Sequence, residues 1–298
     1  MRTIAHISDL HFGTVDPVIA DVLVQDVAAR KPSLVVVSGD FTQRARSDQY
    51  RQAARFLKRL PRPQLVVPGN HDVPLWDVLR RVFRPMERYR RFISDDLMPI
   101  FRDDQMLVVG VNTARSFTQK SGWISDRQLQ EIHDLTCGAA PQVMKVVVTH
   151  HPFIPSPRDP EADIVLDAAE ALDRLEQCGI DLLLAGHLHL AYHDDIRSHH
   201  KSLKRSVLSV QAGTATSTRL RGEPNAYNWI TLVPNQVSVE VRIWNGKTFE
   251  QSLITEYERV DHVWQRKAQI PLNQPAIDAL SRINHEENKP QINADERR

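Results

Sequence analysis

Asp9 with His11, Asp40 alone, Asn70 with His71 and Asp72, His150 with His151, and His187 with His189 each stand at the end of a short apolar run. The runs are IAHISDLH, LVVVSGD, LVVPGNHD, KVVVTHH and LLLAGHLH. Hard carboxylate and amide oxygens mixed with imidazoles suit a divalent metal centre. The set holds more donors than one ion needs, which points to a two-metal hydrolytic site. Asp9 and His11 are two residues apart, so at the end of a strand they can point to the same side. His187 and His189 repeat that spacing. Asp40 and Asn70 each follow a glycine, which lets the backbone come close. A lone carboxylate such as Asp40, set between two cations, would neutralise both. Any one of these residues could be a turn or helix cap, but five clusters in order, each after an apolar run, argue for a common purpose.

Apolar runs of this length read as buried strands. In an open α/β sheet, chemistry is expected at the carboxyl ends of several strands. Strands are expected at about Thr3–Ile7, Leu34–Val37, Leu65–Val67, Leu107–Val111, Val146–Thr149 and Leu182–Ala185. Helices alternate with them. One starts at Pro17 behind an Asp16 cap and presents Val18, Val22, Leu23 and Val27 on one face. A second runs from about Asp48 to Leu60 behind Ser47. A third follows the Ser125/Gln128 capping box. A fourth starts near Asp167 and Glu170 and stops at Gly179. This alternation gives the α/β class. After it, Ser206–Val210, Trp229–Val233, Val237–Trp244 and Phe249–Thr255 read as strands without helices between them. Hairpin turns at Asn235 and Asn245-Gly246 join them. This part is expected to complete a second sheet packed on the first. The main domain is expected over residues 1–259, followed by an extension over 260–298 that ends in a loosely held polar tail from Asn284.

Pro74–Asp104 stands apart as a helical insert directly after the third cluster. Six arginines between Arg80 and Arg91 alternate there with apolar groups such as Leu75, Trp76, Leu79, Phe83 and Phe92. The plain expectation is an amphipathic insert packed on the core with a solvated basic face. The sharper one is a lid whose arginines meet an anionic substrate, or a basic face near a membrane.

The 298 residues carry 38 basic and 37 acidic groups, a net charge of +1, which argues against an extended nucleic-acid track. A small anionic substrate bound locally remains compatible with it. No run approaches the roughly 18 apolar residues of a membrane span, and the N-terminus shows no signal core. A cytoplasmic location is therefore expected. With only Cys137 and Cys178, no disulfide framework is implied, and each thiol is expected to fill a buried gap near a helix end. Homo-oligomer formation through an edge strand or the insert is left open.

The motifs SDLH, SGD, PGNHD, THH and GHLH, in that order, resemble the calcineurin-like metallophosphoesterase superfamily. The resemblance covers at least residues 4–189. HISDLHFG, SGDFT and VPGNHD look most like the bacterial class III phosphodiesterases, which act on cyclic nucleotides and glycerophosphodiesters. It implies a four-layer αββα sandwich and two divalent metals of manganese, iron or zinc type. Asp9, His11, Asp40 and His189 would hold one metal, and Asp40, Asn70, His150 and His187 the other. His71 would stand outside the ligand set and protonate the leaving alkoxide or bind a phosphate oxygen, with Asp72 orienting it and fixing its tautomer. His151, Asn112 and Arg219 are further candidates for touching a phosphodiester substrate. A lipid-linked pyrophosphate hydrolase is a second reading, motivated by the insert, although that branch usually carries Arg where His71 stands. A general phosphatase is another. The scaffold branch of the superfamily loses ligands, and none is missing here.

Overall fold

The computed structural model describes residues 1–271; the expected polar tail lies outside the described residues. In chain order the elements are β1 (Arg2–Ile7), α1 (Pro17–Arg30), β2 (Leu34–Ser38), α2 (Ser47–Leu57), β3 (Gln64–Val67), α3 (Val78–Phe83), α4 (Glu87–Phe92), β4 (Ile100–Arg102), β5 (Met106–Gly110) and α5 (Asp126–Thr136). They continue with β6 (Met144–Val148), α6 (Ala168–Gln177), β7 (Leu182–Ala185), β8 (Tyr192–Asp195), β9 (Leu208–Gln211), β10 (Ala226–Val233), β11 (Gln236–Trp244), β12 (Phe249–Val260) and β13 (Val263–Pro271).

Two mixed sheets stack face to face. One has the order β13-β12-β11-β10-β1-β2-β3, the other β4-β5-β6-β7-β9-β8. Strand alternation explains the layers. In β2, Leu34 and Val36 point into the inter-sheet core with Ile4, Leu65, Val146, Val148 and Leu184. Val35 and Val37 point the other way, to Leu23, Val27, Tyr50 and Phe56 of α1 and α2. On the far side, Leu107, Val109 and Val147 meet Leu129 and Ile132 of α5 and Leu172 and Leu175 of α6. The result is the αββα order of layers.

Several expectations need correction. The late hairpins do not complete the second sheet. β10 pairs antiparallel with β1, Ile4 opposite Ile230, so β10–β13 extend the first sheet. Only β9 of that region joins the second sheet, which is otherwise built from β4–β8. Apolar patterning shows which face of a strand is buried but not which neighbour it pairs with. The sheet also continues past residue 259, because β13 pairs with β12 as its edge strand. In α1 the Asp16 cap is present, accepting from the Val18 and Ile19 amides, but Val18 is exposed and the buried face is Ile19, Ala20, Leu23, Val24 and Val27. The N-cap of α2 is Arg46, one residue before Ser47, and the Gln49 side chain accepts from the Arg44 and Arg46 amides.

Cys137 and Cys178 form a disulfide. Each follows the last turn of its helix, and α5 and α6 lie side by side on the second sheet, so two residues 41 apart in sequence meet. Such a bond is uncommon in the reducing compartment expected above. No helix among the described residues is long and apolar enough to cross a membrane.

Candidate metal centre

β1, β2 and β3 run parallel in the first sheet, and β5, β6, β7 and β9 run parallel in the second. The ligand candidates leave the carboxyl ends of β1, β2, β3, β6 and β7 and converge at one edge of the sandwich. Their backbone is unusual. Asp9, His11, Asp40, His187 and His189 all have positive φ, at 53°, 51°, 51°, 74° and 61°. Non-glycine residues in this region are uncommon and gather at functional sites. Two glycines are needed for the approach. At Gly39, φ is 99° and a Cβ would lie 2.4 Å from His150 Nδ1. At Gly69 a Cβ would lie 2.1 Å from Asp40 Oδ1.

The donors form one continuous cluster. His11 Nε2 is 3.6 Å from Asp9 Oδ1 and from Asp40 Oδ2. His189 Nε2 is 3.5 Å from Asp9 Oδ1. On the other side of Asp40, His150 Nε2 is 3.4 Å from Oδ2. Asn70 Oδ1 lies 3.0 Å from His150 Nε2 and 3.2 Å from His187 Nδ1. Asp40 thus stands between the His11 side and the His150 side.

Hydrogen bonds aim these atoms. Asp9 accepts the His187 amide at Oδ2 (3.0 Å), leaving Oδ1 toward the cluster. Asp40 accepts the His71 amide at Oδ1 (2.9 Å), leaving Oδ2 toward His11 and His150. His150 Nδ1 donates to the Ser38 carbonyl at 2.8 Å, which turns Nε2 toward Asp40 and Asn70. His189 Nδ1 bonds Thr214 Oγ1, and its Nε2 faces Asp9. Partners of this kind orient ligands and select the tautomer.

The charge distribution calls for cations. Burial opposes ionisation of Asp9, but the imidazoles of His189, His11 and His150 outweigh it and hold the carboxyl below the usual range. Asp40 behaves alike: burial opposes its charge, and His150, His71 and His11 prevail. Burial pushes His187 down to about 3 and His189 down to about 4, which keeps both neutral and able to ligate. Burial also opposes charge on His150, yet Asp40 and Asp9 draw it up to about 9, so this point attracts positive charge. Asp9 Oδ1 and both His11 ring nitrogens are buried without a hydrogen-bond partner. Buried polar atoms left unpaired are costly, and divalent ions held by these donors would satisfy them. The residues fit a metal centre.

His71 lies beside the cluster, with its ring edge-on to His11 at 4.8 Å between centroids. Asp72 does not orient it. The Asp72 carboxylate accepts from the Phe41, Thr42 and Gly69 amides and from Thr42 Oγ1, and so braces the loops after β2 and β3. Burial, then the nearby Asp40 charge, pushes Asp72 up to about 7 against those donors. The ring of His71 is set by the Gln43 carbonyl, 2.9 Å from Nδ1. Backbone geometry alone decides this, since Asp72 is the next residue but points into the chain.

The substrate candidates separate. His151 is buried against the cluster, with Nδ1 2.7 Å from Thr113 Oγ1 and its ring 4.7 Å from that of His187. Asn112 uses Oδ1 to accept the Ala114 amide in a turn and lines a neighbouring cavity with Arg84 and Arg115, away from the ligands. Arg219 is exposed and only its amide is held, by Ser217 Oγ. In the same loop it is Arg221 whose charge reaches His189. A cavity of about 190 Å³ opens over Asn70 and His71 and is lined by Gln43, Arg44, Arg81 and Lys120. No motif marks these three basic residues. Arg44 follows the second cluster by four positions, which is the one hint.

Fold and donor set together suit a divalent-metal site at one edge of an αββα sandwich. The model of the calcineurin-like phosphoesterase family matches residues 2–191, and the chain belongs to that family, whose members use divalent metals. It is 40% identical over 80 residues to a glycerophosphodiester phosphodiesterase of Enterobacter lignolyticus, covering 23% of this chain and 29% of that protein. It is 28% identical over 153 residues to a probable cyclic nucleotide phosphodiesterase of Fibrobacter succinogenes, covering 45% and 57%. The matched part is thus less than two thirds of either relative. Among solved structures it resembles the purple acid phosphatase PPD1 of yellow lupin (TM-score 0.66, 10% identity, 84% of this chain and 52% of that one). It also resembles a dimetal phosphatase of Danio rerio (TM-score 0.58, 15% identity, 81% and 96%). At these identities the structural likeness speaks for the fold.

Proposed function

We propose that this protein is a binuclear metal-dependent phosphodiesterase acting on a small organic phosphodiester of cyclic nucleotide or glycerophosphodiester type. The observation that carries the reading is the position of Asp40, whose Oδ2 lies 3.6 Å from His11 Nε2 and 3.4 Å from His150 Nε2. Asp9, His11 and His189 would hold one ion beside it, and Asn70, His150 and His187 the other. A metal pair of this kind supplies an activated water and polarises the phosphoryl oxygens. The chain does the rest. His71 donates Nδ1–H to Gln43, and its Nε2 delivers a proton to the departing alkoxide, ending as a neutral ring. Arg44 and Lys120 receive negative charge on the substrate side of the cavity, with Arg81 behind them tied to backbone carbonyls. That both relatives are named as phosphodiesterases supports a diester over a monoester.

The test is reconstitution. Stripped protein is supplied with manganese, iron, cobalt or zinc and assayed on an activated diester, a matched monoester and a panel of natural diesters. Restored turnover that prefers diesters is expected. Failure of all four metals, or a clear preference for the monoester, sinks the reading.

A further inference from the structure

Helix α3 is turned inside out. Val78, Leu79, Val82 and Phe83 share one side of it and point to solvent, with Leu79 74% and Phe83 76% exposed. Trp76, just before the helix, is 80% exposed, and Phe117, on the neighbouring loop, 67%. None of its residues is buried. Its polar side faces the protein instead. Arg81 donates to the carbonyls of Ser116 (2.8 Å), Thr118 (2.6 Å) and Pro74 (3.2 Å), and Arg80 pairs with Asp77 and Glu87. The following helix, α4, behaves normally and buries Tyr89. The expected packing of the insert on the core therefore holds for α4 and is reversed for α3. Contiguous apolar exposure of this kind marks a surface that meets something.

The patch sits at the mouth of the site. Leu75 and Arg81 line the cavity that holds His71, and Trp76 borders the adjoining recess with Arg44, Arg46 and Arg88. The charge around it selects the partner. Residues 74–92 carry six arginines against Asp77 and Glu87, while the whole chain is close to neutral. A second copy would set this basic face against itself. An anionic lipid surface satisfies both features: Trp, Phe, Leu and Val enter the boundary between headgroups and acyl chains, and arginines meet lipid phosphates.

We propose that Trp76–Phe83 with Phe117 docks the protein on an anionic membrane surface, with the metal cleft facing the lipid headgroups. The docking stands independently of the hydrolytic reading. Its consequence, that the diester is one carried in or released from that surface, rests on that reading.

The experiment is co-sedimentation with vesicles of phosphatidylcholine alone or mixed with phosphatidylglycerol. The mixed vesicles should carry down the protein at least about tenfold more strongly, with the advantage lost in high salt. Leu79→Ser combined with Phe83→Ser should cut this partitioning about tenfold or more. So should Arg84→Glu combined with Arg91→Glu. Both pairs are on the surface, and both should leave turnover of a water-soluble diester unchanged. Absence of vesicle binding, equal binding to neutral vesicles, or binding indifferent to both pairs overturns the proposal. So does a dimer in solution that the serine pair dissolves. If the vesicles bind and no diester is cleaved by metal-loaded protein, the docking stands and the hydrolytic reading fails.

Discussion

His71 Nδ1 lies 2.9 Å from the carbonyl oxygen of Gln43, a residue three positions past Asp40. The loop that brings Asp40 into the cluster therefore also sets the ring of His71. A carbonyl accepts from Nδ1–H in either charge state of the ring, which leaves Nε2 as the atom that can exchange a proton.

His71→Ala is expected to retain both metals and to lose turnover by about 10²–10⁴-fold. The loss should be greatest for diesters with poor leaving groups. Kinetics on a series of phenolic diesters checks this, and an equal loss across the series removes the acid role. Asp72→Asn should behave differently. It weakens four hydrogen bonds to one carboxylate, so the expected result is a lower melting temperature with metal content and leaving-group dependence kept.

Asp40→Ala is expected to lose both metals, whereas His187→Ala should lose one. Elemental analysis of the purified variants decides it. Two tightly bound ions in Asp40→Ala would end its assignment as the shared ligand.

His193 bonds the Tyr257 hydroxyl at 2.7 Å, tying β8 of the second sheet to β12 of the first. Burial, with Arg266 next in effect, pushes it down to about 4 from an ordinary 6.5. The unfolded chain binds this proton more readily than the folded one. Stability is therefore full above about 6.5 and falls as the pH drops from there to about 4, by up to about 3 kcal/mol. Denaturant melts at several pH values should show this acid-side slope reduced in His193→Asn. An unchanged slope would show that the group does not titrate in this window.

The disulfide closes a loop of 41 residues. Loop-closure entropy assigns such a bond about 4 kcal/mol. Cys137→Ser, with Cys137 at the surface end of the bond, should lower the melting temperature by roughly 10 °C. Reducing agent should reproduce the loss in the natural chain and leave the variant unaffected. A melting temperature indifferent to both would show that the bond contributes nothing to the native state.

Local sequence carried a good deal. Apolar runs of four to five residues, rich in Val, Ile and Leu and too short for helices, read as buried strands, so β1, β2, β3, β5, β6 and β7 were legible within a residue or two. The donor types at their ends named the chemistry, because carboxylate, amide and imidazole at one place suit few purposes other than a metal. The Asp16 and Ser125 caps were legible for the same reason: the chemistry of a cap lies within four residues.

What the tertiary structure decided depends on long-range contact. Whether β10 pairs with β1 or joins the other sheet, whether Cys137 reaches Cys178, and whether Gln43 or Asp72 holds His71 are questions of which distant or turned-away atoms meet. Helix periodicity shows that α3 has an apolar side but not which way that side faces. The left-handed backbone at five candidate ligand positions is likewise held by the packed strand ends, since that conformation costs a non-glycine residue about 1–2 kcal/mol. The residues of this chain thus determine by themselves what its site is made of, and the packing of two sheets determines how those residues stand and what surrounds them.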